Sequence, residues 1–198
     1  LLLGLATGTW WYQRQFIPPA EHEPVSVVIA DFQNDTGDAA FDGTLEPMLR
    51  RALEGASFIS AFDRDGIRRT LGVQPPERLD EVAAREIAVE QGLGVVLAGS
   101  LEPRGTGYGL SVRAIQPLTG EVIASAEDTA SGRDQVLEAA TRLISRVRNA
   151  LGDETSESAQ ILAMASLSAT SLDVAGLYAA ALEASSNNRF EEQRESLL

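Results

Sequence analysis

The stretch VSVVIADF, Val25 to Phe32, constrains this chain more than any other. It is a continuous run dominated by β-branched residues, without the polar alternation of a strand that has one wet face. Such a run predicts a strand buried on both sides, and burying both sides requires helices above and below the sheet. The segments that follow supply them. TLEPMLRRALEG places Leu45, Met48, Leu49, Ala52 and Leu53 at a 3.6-residue period, with Asp42 as its expected N-cap, Pro47 tolerated in the first turn and Gly55 as its stop.

SFISAFD predicts a second strand, DRDGIRRTLG a short helix, and LDEVAAREIAVEQG a helix with Leu79, Val82, Ala83 and Ile87 on one face. GVVLAGSLEP, YGLSVRAIQP and a strand after the Thr119-Gly120 turn then follow one another with tight turns, which forces an antiparallel meander. From Asp134 to Leu151 the stripe Val136, Leu137, Ala140, Leu143, Ile144, Val147 and Leu151 is unbroken and ends at Gly152. The expected fold is therefore α+β with an α/β-like first half: a mixed sheet of about five strands with helices packed on it.

With 44% hydrophobic residues the chain can fill such a core. The net charge of −13 and the scattered basic residues, nowhere denser than the pairs Arg50-Arg51 and Arg68-Arg69, argue against nucleic acid as a partner. The absence of cysteine removes disulfides, thiol catalysis and thiolate-bound zinc. A single histidine, His22, in a linker-like stretch leaves little for histidine-ligated metals or a Ser-His-Asp triad. No cofactor is expected.

Outside the sheet, residues 1–15 are apolar and end in Trp10, Trp11 and Tyr12 ahead of Arg14, which predicts the end of a membrane-spanning helix with its interfacial aromatics. Residues 16–24 form a proline-rich linker. The domain proper is expected over 25–152, an acidic linker over 153–170, and a helical hairpin over 171–198. The chain reads as a piece of a longer protein.

The stretch ADFQNDTGDAAFDG, Ala30 to Gly43, concentrates polar chemistry between the first strand and the first helix. Its oxygens at Asp31, Asn34, Asp35, Asp38 and Asp42 miss the alternating register and closing Glu of a calcium loop. Asn34, Asp35 and Gly37 instead suit a turn in which Asx side chains bond their own backbone. GTGYG, Gly105 to Gly109, leads from strand to strand, so it is a hairpin turn and no dinucleotide fingerprint. Paired carboxylates for glycoside hydrolysis lack the aromatic companions of a sugar cleft. If the acidic loop contacts a ligand or partner, the candidates are Asn34, Asp35, Thr36, Asp38 and Asp42, because loops at the carboxyl ends of sheet strands are where α/β folds bind.

The strand with FQNDTGD and FDG, the stretch AREIAVEQGLGVVLAGS and the LTGE turn together resemble the TolB N-terminal and FlgO-like α/β domains. The resemblance extends to the region following the transmembrane helix in bacterial membrane serine/threonine protein kinases and adenylate-cyclase-like proteins, where tetratricopeptide repeats usually follow. It covers Val25 to Leu151 and, more loosely, Ser171 to Leu198. It implies a non-catalytic sensory or protein-interaction region with a protein partner or a ligand of unknown kind. It further implies attachment to the bacterial inner membrane through the N-terminal helix, with the domain on the periplasmic side. The alternative it implies is an envelope assembly or scaffold module with no small-molecule ligand.

Overall fold

The computed structural model describes residues 22–165. The membrane-helix segment 1–15, most of the proline-rich linker and the helical hairpin at 171–198 lie outside the described residues. No helix among the described residues is long and apolar enough to cross a membrane.

The strands are β1 (Val25–Ile29), β2 (Gln33–Asn34), β3 (Ile59–Phe62), β4 (Val95–Arg104), β5 (Gly107–Ile115) and β6 (Val122–Ala130). The helices are α1 (Leu45–Leu53), α2 (Arg64–Gly66, continuing into a π turn over Ile67–Leu71), α3 (Glu81–Gln91), α4 (Val136–Ala150) and α5 (Glu157–Ala165). The sheet order is β3-β1-β4-β5-β6, and the two-residue β2 also pairs with β4. β1 is parallel to β3 and β4, whereas β4, β5 and β6 form the expected antiparallel meander. The α+β class and mixed sheet expected from the sequence are thus observed.

β1 lies inside the sheet between β3 and β4, and Val27, Val28 and Ile29 are buried, as its unbroken apolar run requires. Val27 and Ile29 point to one face, with Leu97, Leu101, Leu110 and Val112, under α1 and α4. Val28 and Ala30 point to the other, with Val96, Ala98 and Ile115, under α2 and α3 through Ile67, Leu79, Ala84, Ile87 and Ala88. On the α1/α4 face, β4 carries Gly99 between Leu97 and Leu101. The Phe32 ring occupies the space that Gly99 leaves, so close that a Cβ there would lie 2.2 Å from the ring. The absence of a side chain at Gly99 is what lets the chain after β1 fold back onto the sheet.

Two local readings change. Val82 was expected on the buried face of α3, but it is 62% exposed, and the buried residues are Ala84, Ile87 and Ala88. Asp80, an extended N-cap bonding the Ala83 N–H, sets Leu79 before the helix, so Leu79 does not mark the helix's phase. In the stretch read as an acidic linker, Glu157–Ala165 forms α5 against α4.

The junction before α5 is tied by a buried ion pair. Arg148 and Asp153 are only 4% and 8% exposed. Arg148 Nε donates to Asp153 Oδ2 at 2.8 Å, and its NH1 donates to the Ala52 carbonyl at 3.1 Å, in the last turn of α1. Asp153 Oδ1 also accepts from the Thr155 N–H. Gly55 is needed here for room, since a Cβ on it would stand 2.8 Å from the Arg148 guanidinium.

Candidate functional site

The connections from the neighbouring parallel strands β1 and β3 leave in opposite directions. The chain after β1 turns to α1 on one face, and the chain after β3 turns to α2 and α3 on the other. Diverging connections open a crevice at the carboxyl ends of the two strands, the position at which open α/β sheets bind ligands. Here that crevice has a volume of about 470 Å³. Asp31, Phe32, Asn34, Asp42 and Glu46 form one wall, and Asp63, Arg64, Arg68, Glu77 and Arg78 belong to the other side.

Of the residues proposed from sequence, Asn34 and Asp42 line the crevice, whereas Asp35, Thr36 and Asp38 do not. The loop bonds mainly to itself. Asn34 Nδ2 donates to the Asp38 carbonyl at 2.9 Å and to Asp42 Oδ1 at 2.7 Å, while Asn34 Oδ1 accepts from the Thr36 hydroxyl and N–H. Gln33 holds Asp35, and Asp38 accepts from the Ala40 N–H. Asp42 does not cap α1 as expected. The preceding residues Ala39–Phe41 make a 3-10 turn that Asp38 caps, and Thr44 becomes the N-cap position of α1, its hydroxyl donating back to the Ala40 carbonyl at 2.8 Å and making no capping bond.

The residues that build the interior of the crevice were not among the contact candidates proposed from the sequence, although Asp31 was weighed there as a calcium-loop oxygen. Asp31 at the end of β1 binds Arg64 and accepts from the Leu79 N–H at 2.7 Å, pinning the segment before α3 across the sheet end. Arg64 also donates to the carbonyls of Pro76 and Glu77. Asp63 at the end of β3 caps α2 through the Gly66 N–H and pairs with Arg50 at 3.2 Å. Between these two aspartates lies Glu46, in the first turn of α1 and only 5% exposed. Its Oε1 accepts from the Phe32 N–H at 2.7 Å, and its Oε2 has no hydrogen-bond partner among the described residues. Burial pushes the Glu46 carboxyl up to about 7, and the negative charges of Asp31 and Asp63 add to the rise against the opposing Phe32 bond. Among the described residues no group of His, Cys, Asp and Glu side chains is arranged to hold a metal ion.

No family model matches the chain, and no curated protein matches it. Several solved structures are similar to parts of it. The LpoB C-terminal domain from Salmonella enterica is 19% identical, with a TM-score of 0.45 over 60% of this chain and 90% of that one. A PelC dodecamer from Paraburkholderia phytofirmans is 20% identical, with a TM-score of 0.43 over 67% of this chain and 92% of that one. TolB from Acinetobacter baumannii is 12% identical, with a TM-score of 0.45 over 66% of this chain and 29% of that one.

Proposed function

We propose that the domain is a non-catalytic recognition module that docks a protein partner at the crevice beyond β1 and β3, as an envelope assembly or scaffold unit outside the cytoplasm. The observation that carries this reading is the crevice itself: a preformed opening at a switch point, with a self-bonded polar loop as one rim. A loop whose side chains satisfy one another presents a fixed surface, which lowers the ordering cost of association. The resemblance of Val25 to Leu151 to TolB N-terminal and FlgO-like domains supports the same reading.

The test places a photo-crosslinking side chain at Asp42 or Glu77 on the rim, or at Glu90 on α3, in the full chain made in its native cell. One protein partner captured from both rim positions and not from Glu90 is the expected result. Equal capture from all three, or none, removes the reading.

Glu46 favours a second reading, because a carboxyl titrating near neutrality is suited to general acid–base catalysis. Against it, the residues lining the crevice include no Ser, Thr, Cys, His, Lys or Tyr to act as nucleophile or proton partner, and the mouth at Asp42, Gly43, Glu77 and Arg78 is exposed to water. The resemblance also supports a finer version of the docking reading, in which the module is the sensory region of a membrane kinase or cyclase. Kinase output unchanged by deletion of residues 25–198 from the parent protein removes that version.

A further inference from the structure

The charges around the crevice do not balance locally. Asp31 is paired with Arg64, Asp63 with Arg50, and Asp65 with Arg68 and Arg69. Among the described residues, three carboxyls are left without a cation: Glu46 with its unpartnered Oε2, Asp42 with the Asn34 amide, and Glu77, which engages Arg64 through its backbone carbonyl. Against them the lining offers one exposed guanidinium outside these pairs, Arg78. A buried carboxyl left beside two aspartates works against the folded state, and an unsatisfied buried group of this kind calls for an explanation, of which a bound cation is one.

The geometry points to a cation site: the crevice takes an alkylammonium or guanidinium group between Glu46, Asp42 and Glu77, the head of a partner protein's lysine or arginine side chain or of a free amine. A metal ion fits less well, because no ligating cluster is present among the described residues. The ammonium need not touch Oε2, since charges a few ångströms apart across a poorly solvated wall still interact strongly. This inference rests on the docking reading only for the source of the cation.

Ionised Glu46 attracts the cation and the neutral acid does not, so binding is linked to its titration. The groups that face it are Asp31 from β1 with its Arg64, Asp63 from β3 with its Arg50, Asp42 in the loop, and the Phe32 N–H. With Glu46 titrating at about 7, affinity for a cation is expected to rise roughly tenfold from ~pH 6 to ~pH 8.

The Phe32 amide, bonded to Glu46, is the reporter. Amide spectra of the full chain in detergent would be recorded during titration with n-butylammonium chloride, with 1-butanol as the neutral control. Expected are a saturable shift of the Phe32 signal with butylammonium only, the tenfold pH dependence, and at least tenfold weaker binding in Glu46→Gln. The surface double variant Asp42→Asn/Glu77→Gln, which leaves the core untouched, should weaken binding several-fold. No saturable shift, or unchanged affinity in both variants, overturns the proposal. A lysine-containing peptide that binds more tightly than butylammonium, and loses this when lysine is replaced by norleucine, assigns the cation to a protein partner. Equal affinities assign it to a free amine. Amine binding without rim crosslinks removes the docking reading and keeps the cation site, and the reverse result does the opposite.

Discussion

Asp153→Ala is expected to destabilise the domain by about 3–5 kcal/mol, the cost of leaving one partner of a buried ion pair alone. Arg148 is only 4% exposed, and its guanidinium bonds in two directions, to Asp153 and to the Ala52 carbonyl. Burial alone would push the Asp153 carboxyl up, but the Thr155 N–H and hydroxyl and the Arg148 guanidinium outweigh it and hold the pKa below the usual aspartate value. Removing the carboxylate leaves a buried cation at the end of α1, beside Gly55, with its bond to the Ala52 carbonyl remaining. The double variant Arg148→Met/Asp153→Leu should recover most of the loss, because exchanging a whole buried pair for apolar volume is often near neutral. Urea unfolding of the single and double variants measures both. A cost below ~1 kcal/mol for Asp153→Ala would mean that the pair is solvated and behaves as a surface bridge.

Glu46→Gln is expected to stabilise the protein at alkaline pH and to change little in acid. The folded-state pKa is raised from 4.5 to about 7. Below the lower value both states hold the proton, so burial of the neutral acid costs no charge. As pH rises between the two values the unfolded chain ionises first, and stability falls. Above the higher value the penalty is complete, on the order of 3 kcal/mol. Glutamine keeps an acceptor for the Phe32 N–H and cannot ionise. Unfolding at ~pH 5 and ~pH 8 should therefore show wild type losing stability across the interval through this group and Glu46→Gln losing much less. Equal slopes in the two proteins would show that the carboxyl is hydrated in the folded state. Asp128 and Asp153 act in the other direction. Their folded-state pKa values are lowered, so the stability they add is present above the ordinary value of 3.8 and is lost in stronger acid.

The frame of the fold was legible because its signals are local and redundant. The run at Val25 to Ile29, the glycine turns of the meander and the stripe from Val136 to Val147 each specify one answer. What was hidden depends on contacts between distant segments. Gln33–Asn34 reads as polar loop, yet it pairs with Ser100 and Leu101 of β4. Glu46 reads as an ordinary acid in the first turn of a helix, where charge favours the dipole. Its burial follows from Phe32 folding back over Gly99, which carries the loop onto α1. Asp63 and Arg64 read as the start of a helix, and only the parallel pairing of β1 with β3 sets them opposite Asp31. The proposed site was therefore half visible: the sequence pointed to the rim through Asn34 and Asp42 and gave no sign of the carboxyl behind it.

The place of β1 between two later strands also has a consequence in time. Its sheet partners are made later, β3 some thirty residues on and β4 near residue 95. At ~5–20 residues per second of synthesis, Val25 to Ile29 waits roughly several seconds before β4 can cover its second edge. During that interval the nascent chain displays a short, uncharged, β-branched segment of the type that pairs with its own copies. Newborn molecules thus pass through an aggregation-prone stage, and a holding chaperone that shields this segment until β4 has been made would raise the yield of native protein.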